Sequence, residues 1–287
     1  MPFPSTFSIV AVDRENGEIG VGVQSKFLSV GAAVPWVRVG VGAVATQAFC
    51  NTSFGPRGLD LLASGKTPSD VAQMLVRDDS GKDDRQFGIV DMSGHSATFS
   101  GARCIDATHG IAGLDFAVQG NCLASKSVVD AMAHAFRASA GHLADRIVSV
   151  LRAAQAAGGD KRGQQSAALV IEKAGAGYGG FNDRYVDLRV DDHATPIEEL
   201  ARLLAWHKLY YFPPAPEDVF PIDAALGAEI AGELIRIGAL DAVVSTFDAR
   251  AQAALVSFMH TENLENRERH DGAIDRQTLE YLRRFRR

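Results

Sequence analysis

The chain is poor in the features that cross-link a protein, anchor it in a membrane or fix it to nucleic acid. Its 287 residues hold three cysteines, Cys50, Cys104 and Cys122, an odd number without CxxC spacing. A disulfide framework or zinc cluster is therefore not expected, and each thiol reads first as a small buried residue, with Cys50 alone placed where it could line a site. No apolar run approaches the roughly 20 residues that span a bilayer. The N-terminus lacks the charged and then apolar pattern of a secretion signal, which sets the expectation of a cytoplasmic protein with no membrane partner. Positive charge is in deficit: 29 Lys and Arg against 35 Asp and Glu give a net charge of −6. This argues against a broad phosphate-binding surface, so no nucleic-acid partner is expected, because phosphate binding rests on clustered Lys and Arg. The basic ending Arg283-Arg284-Phe285-Arg286-Arg287 is short and reads as a solvated helix end.

What is present suits a soluble globular protein, 46% hydrophobic and 22% charged, of a length for one large domain or one domain plus a small one. The first half alternates in strand fashion and the later segments carry helical spacing. Thr6–Asp13 and Ile19–Ser25 flank Arg14-Glu15-Asn16-Gly17, where Asn-Gly marks a hairpin. Further strands are predicted at Pro35–Val39, Gly42–Gln47, Arg85–Asp91, His95–Ser100, Phe116–Gln119, Ser166–Glu172 and Tyr185–Val190. Helices are predicted at Gly58–Ser64, after Thr67-Pro68, over Ser127–Ala138 and His142–Ala157, and at Ile197–Tyr210 behind Thr195 and Pro196. Blocks of strands alternating with blocks of helices predict an α+β fold in which two facing sheets carry helices outside. Phe212–Asp218, rich in proline, reads as a linker. Beyond it Ala224–Ile237, Ala249–His260 and Arg276–Phe285 carry apolar stripes, with Asp248 and Asp275 as N-caps. These make a small all-α module whose modest core is expected to dock on the main domain or on a second subunit, so a homo-oligomer is predicted.

Thr6 stands at the head of the first strand. A Thr hydroxyl is a weak nucleophile, and a free α-amine on the same residue is a base already beside it. Met1–Ser5 precede Thr6, so that amine exists only after they are removed.

Four polar clusters interrupt apolar segments. Gln24-Ser25-Lys26 ends the second strand; Lys26 either lies near Thr6, lowering a pKa or holding an anion, or opens an exposed loop. Thr46-Gln47 through Asn51 to Arg57-Gly58 is a strand-to-helix turn dense in amides, hydroxyls and an Arg, suited to an oxyanion or a substrate carboxylate. Gln119-Gly120-Asn121 places two amides about a glycine, so that Asn121 could donate to an oxyanion while Gly120 lets a substrate approach, or the segment could be a capped turn. Gly158–Ser166 leads into a strand and offers Asp160 and Arg162 as an orienting pair, with Gln165 beside them. Asp191-Asp192-His193 has metal-capable donors without identifiable partners, and Ala174–Gly180 is not followed by a helix. Neither a metal nor a cofactor is expected.

Thr6–Ala11, Gly20–Ser25, Ala45–Ala48, Gly55–Gly58, Val118–Asn121, Gly159–Ser166 and Asp183–Val190 together resemble the bacterial family called domain of unknown function 1028, over about residues 5 to 210. That family is similar to N-terminal nucleophile hydrolases, and the resemblance implies a four-layer αββα sandwich over residues 1–211. The tail, 212–287, resembles a peptidoglycan-binding module through Gln252–Leu255, Glu262–Glu265 and Gly272–Asp275. In many members the Thr follows the initiator Met directly, whereas here loss of Met1 exposes Pro2. The resemblance implies an amide hydrolase for a small polar substrate. The residues expected to carry that chemistry are Thr6, Lys26, Asn121 and Asp160, with Gln24, Ser25, Thr46, Gln47, Asn51, Arg57, Gln119, Arg162 and Gln165 expected to bind substrate. The alternative is a protein that binds a small ligand or muropeptide without turnover.

Overall fold

The computed structural model describes residues 6–105, 107–240 and 247–286. Met1–Ser5, on which the Thr6 reading turns, lie outside the described residues. The chain divides into two compact units, Met1–Leu204 and Ala205–Arg287.

The first unit is built on two antiparallel sheets. Strands β1 (Thr6–Asp13) and β2 (Glu18–Ser25) form the predicted hairpin, closed by a loop in which only Gly17 takes a positive φ, and Asp13 accepts from the amides of Glu15 and Asn16. With β7 (His109–Gly113), β8 (Phe116–Gly120), β9 (Ser166–Lys173) and β10 (Arg184–Val190) they make a six-stranded sheet in the order β10-β9-β2-β1-β8-β7. The second sheet runs β3-β4-β5-β6, from β3 (Pro35–Arg38), β4 (Gly42–Ala48), β5 (Arg85–Asp91) and β6 (Ser96–Ser100). β7 has no counterpart among the predicted strands; its sequence, His-Gly-Ile-Ala-Gly, carries little strand propensity and is held by pairing with β8.

The two sheets face each other. Val10, Val12, Val21, Val23 and Ala168 of the larger sheet pack with Ala43, Ala45 and Val90 of the smaller. Period-two alternation sends the other side chains of each strand to the opposite face, and helices cover those faces. On the smaller sheet, α1 (Phe54–Ala63) and α2 (Pro68–Arg77) bury Phe54, Leu59, Leu62, Val71 and Leu75 against Val44, Phe87 and Ile89. On the larger, α3 (Ser127–Ala138) and α4 (Leu143–Ala156) pack against β8, β1 and β2. Thr67 caps α2, accepting from the Asp70 amide with Pro68 at the first position, as the sequence predicts. Helix α1 begins at Phe54, ahead of the predicted Gly58, and ends as a Schellman motif in which the Lys66 and Gly65 amides reach the Leu61 and Leu62 carbonyls. Helix α5 (Pro196–Tyr211) contains the division between the units.

The second unit is helical, with α6 (Ala224–Arg236), α7 (Ala249–Thr261) and α8 (Arg276–Arg284) capped by Asp223, Asp248 and Asp275. It is not all-α: β11 (Val219–Pro221) pairs with β12 (Ala273–Asp275). Arg267 pins this ribbon, its guanidinium bonded to Asp275 at 2.7 Å and to the carbonyls of Lys208 and Phe212 at 2.9 and 3.0 Å. Among the described residues no helix is long and apolar enough to cross a membrane.

Candidate functional site

At the end of the sandwich where β1 begins, hydroxyls and amides replace the apolar side chains between the sheets. Thr6, Ser25 and Ser166 occupy directly opposed positions on β1, β2 and β9, all fully buried. Residues so opposed share a face, and the hydrophobic partners two residues on, Val23 and Ala168, fix that face as the one between the sheets. The Thr6 hydroxyl donates to Ser25 Oγ at 3.1 Å. Ser166 Oγ accepts from the Val30 amide at 3.1 Å, tying down the loop after β2.

Behind this row lies a buried network of amides. Gln47 Nε2 donates to the Thr6 carbonyl at 3.1 Å, and the Asn121 backbone amide reaches the same carbonyl at 3.1 Å. Gln119 Nε2 donates to Ser8 Oγ at 2.6 Å, and Ser8 Oγ donates to Gln47 Oε1 at 2.5 Å. Gln86 is the hub: its Oε1 accepts from Gln47 Nε2 at 2.8 Å and Asn121 Nδ2 at 2.9 Å. Its Nε2 lies within bonding distance of Ser100 Oγ and the His109 and Gly120 carbonyls. Neither Gln86 nor Ser8 is among the residues the sequence predicts for the site, although an amide opening the apolar strand at Arg85-Gln86-Phe87 is the same signal that marks Gln47 and Gln119. A network in which nearly every buried group is matched holds one geometry, because a misplaced member leaves an unpaired polar atom.

Two residues in unfavourable backbone conformations flank this network. Ala48 follows Gln47 with φ 63°, and Cys122 follows Asn121 with φ 52°. Non-glycine residues there are strained, and such strain concentrates at functional sites.

Asp160 lies at the edge of the hydroxyl row. Its side chain is fully buried, accepts from the Lys26 and Arg162 backbone amides at 3.2 and 2.9 Å, and pairs with the Arg162 guanidinium at 2.9 Å. Lys26 Nζ donates to the Gln164 carbonyl at 3.3 Å, and the Gln165 amide donates to the Ser25 carbonyl at 3.0 Å. Gln165 Nε2 reaches Asp192, while His193 Nδ1 accepts from the Thr195 amide, so that segment is a folded turn. No group of three or more His, Cys, Asp or Glu among the described residues is placed to hold a metal ion.

Several predicted site residues sit elsewhere. Gln24 is buried, but it opposes Phe7 and lies on the face where Gly22 abuts Ile147 and Leu151 of α4, away from Thr6. Arg57 is exposed on α1, where its charge acts on Asp78. The Gly55-Pro56-Arg57-Gly58 run is a packing motif, since a Cβ on Gly55 would lie 2.1 Å from the Trp36 ring. Asn51 folds its side chain onto Ser53, accepting from Ser53 N and Oγ at 3.2 and 2.7 Å, and its carbonyl accepts from Thr46 Oγ1 at 3.4 Å. Gly120 leaves no room for a substrate, because Leu123 fills the space a Cβ would take. Cys50 lies against the Thr46 carbonyl at 3.3 Å, and burial raises its thiol above the ordinary value, which argues against a thiolate. Thr6, Ser25, Gln47, Gln119 and Asn121 are thus brought together between the sheets, with Lys26, Asp160, Arg162 and Gln165 at the edge.

Fold and site define an α+β protein with a buried hydroxyl and amide centre at one end of two facing sheets. The family model described as "Family of unknown function (DUF1028)" matches residues 6–200, and the chain belongs to that family. A second model, described as "Putative peptidoglycan binding domain", matches residues 211–282. The crystal structure of a Silicibacter pomeroyi protein of the same DUF1028 family is similar, with 31% sequence identity and a TM-score of 0.66 over 72% of this chain and 88% of that one. No curated protein matches the chain.

Proposed function

We propose that residues 1–211 form a four-layer αββα scaffold of the N-terminal nucleophile type, hydrolysing an amide bond in a small polar substrate with Thr6 as nucleophile. The packing of α1 and α2 on one sheet and of α3 and α4 on the other supports the layer order. The observation that carries the chemistry is the placement of Thr6: buried at a strand head, its hydroxyl on Ser25 and its carbonyl held by Gln47 and Asn121. A nucleophile fixed through its own backbone attacks along one line, which is where positioning lowers the barrier most.

In this reading cleavage after Ser5 frees the Thr6 amine. The amine takes the hydroxyl proton as Oγ1 bonds to the substrate carbonyl carbon, then returns it to the leaving nitrogen as the C–N bond breaks; water hydrolyses the resulting ester. The second Nδ2 hydrogen of Asn121, not engaged by Gln86, is the donor for the oxyanion. Lys26 and Arg162 orient a substrate carboxylate. The protein acts in the cytoplasm as a homo-oligomer, with residues 212–287 as a separate module.

An amide-library screen comparing the full chain with a form beginning at Thr6, with N-terminal sequencing of each, tests the reading. Hydrolysis is expected only where Thr6 is the terminus. Turnover by protein beginning at Met1 or Pro2 overturns it, and ligands bound but recovered intact make the protein a binder.

A further inference from the structure

At the opposite end of β1, roughly 23 Å from Thr6 at about 3.3 Å per residue, three turns converge on a cleft of about 750 Å³. They are the β1–β2 loop, the β7–β8 turn and the α3–α4 turn. Small-molecule sites commonly enclose roughly 300–1,000 Å³. The ionisable groups on this cleft are Asp13, Arg14, Glu15, Asp115, His142 and Arg146.

These charges are not equivalent. Arg14 and Asp115 neutralise each other in a two-point ion pair, at 2.6 and 3.1 Å, which closes one wall. Arg146 is held in a fixed pose: its guanidinium lies 4.2 Å over the Phe136 ring, and its Nε donates to Ser139 Oγ at 3.2 Å. Ser139 Oγ in turn donates to the Phe136 carbonyl at 2.8 Å. Its two terminal nitrogens make no hydrogen bond to the described residues, and that edge of a guanidinium is the one that takes a carboxylate at two points.

Asp13 is fixed as well. Its oxygens accept from the Glu15 amide, the Asn16 amide and Asn16 Nδ2 at 3.1, 3.2 and 2.8 Å. Burial pushes the Asp13 carboxyl up, but the Asn16 and Glu15 bonds together with the charge of Arg146 hold it below its ordinary value. The two charges therefore feel each other, yet no ion pair joins them. A fixed cation and a fixed anion, both on one cleft and not in contact, form a dipolar receptor.

We propose that this cleft is a second small-molecule site, which takes a zwitterionic α-amino acid with its carboxylate on Arg146 and its ammonium on Asp13. A bare carboxylate meets the cation but leaves Asp13 facing it, and a bare amine meets the reverse. Only a ligand with both charges satisfies both walls. The site does not depend on any chemistry at Thr6.

Titration calorimetry on the full chain tests this with glycine, L-alanine and L-leucine as probes, against acetate and methylammonium. At least one amino acid is expected to bind saturably at one site, with acetate and methylammonium at least about tenfold weaker. Arg146→Gln and Asp13→Asn are each expected to weaken the amino acid about tenfold or more while melting near the parent temperature. Should Arg146→Gln fail to fold, Arg146→Lys keeps the charge but not the two-point geometry and is expected to bind more weakly than the parent. No saturation by any of the three amino acids at about 10 mM, acetate binding as tightly as they do, or variants binding like the parent overturns the proposal.

Discussion

Thr6 and Ser25 stand hydroxyl to hydroxyl, 3.1 Å apart, at the end of the β1–β2 ladder, and Ser166 continues the row on β9. The three side chains carry no charge, and the ionic groups at the edge of the row, Lys26 and the Asp160–Arg162 pair, are already bonded to the chain around them. A neutral hydroxyl becomes a nucleophile only when a base accepts its proton. That requirement makes the α-amine of Thr6 the natural base in the proposed reaction, and it makes the hydroxyl pair itself open to measurement.

Thr6→Val keeps the branched shape and removes the donor to Ser25. In the full chain, where no catalysis is expected, the cost is about 1 kcal/mol for the lost bond, rising to about 3 kcal/mol if the buried Ser25 oxygen finds no other donor. Urea unfolding of the two proteins measures it. Equal midpoints would mean that the pair contributes nothing to the fold.

Gln86 carries more of the site's geometry than any residue identified from the sequence. Gln86→Leu removes the acceptor of Gln47 and Asn121 and the donor to the Gly120 carbonyl, all buried, and the donor to Ser100 and the His109 carbonyl nearer the surface. The expected loss is about 3–5 kcal/mol, the sum of several stranded polar groups. A loss below about 1 kcal/mol would show that the network re-forms without its hub.

The contrast between Gln86 and Gln47 shows how far the sequence could be read. Thr6, Gln47, Gln119 and Asn121 were legible because each is polar where an apolar strand ends, and the caps Thr67, Asp248 and Asp275 were legible because capping is local. Ser8 was not, since a serine within an alternating strand looks like a solvent-facing position until a second sheet is known to cover it. Gln24 and Ser25 looked like one cluster, yet adjacent strand residues point to opposite faces, and which face meets the second sheet is a long-range property. The order β10-β9-β2-β1-β8-β7 is of the same kind: it joins strands more than a hundred residues apart, which no local pattern records.

Asp79 provides a test by pH. The Arg85 guanidinium bonds it at 2.7 and 3.3 Å with both side chains largely buried, and this outweighs burial and, with the Gly81 amide, holds the Asp79 carboxyl below its ordinary value. A carboxyl whose folded value is depressed adds stability above its unfolded value and loses it as pH falls through the folded one. Asp79→Asn should therefore be less stable than the parent at neutral pH, by about 1–3 kcal/mol for a partly buried pair. The gap should narrow below about pH 4 and close at still lower pH. Chemical unfolding across that range checks it, and a gap independent of pH would remove the ion pair as its cause.

Gln24 gives the sharpest division between sequence and structure. It is fully buried, and neither its amide nitrogen nor its amide oxygen has a hydrogen-bond partner among the described residues. Each such atom was bonded to water in the unfolded chain, so its burial opposes folding by roughly 1–3 kcal/mol. Gln24→Met preserves length and volume while removing both polar atoms. The variant is expected to be more stable than the parent by about 1–2 kcal/mol, read as a higher urea midpoint with an unchanged slope. Because the side chain lies on the α4 face of β2, hydrolysis by the form beginning at Thr6 should be unaffected. A destabilised variant would show that the amide is satisfied in solution, and a variant of unchanged fold with lost activity would return Gln24 to the site.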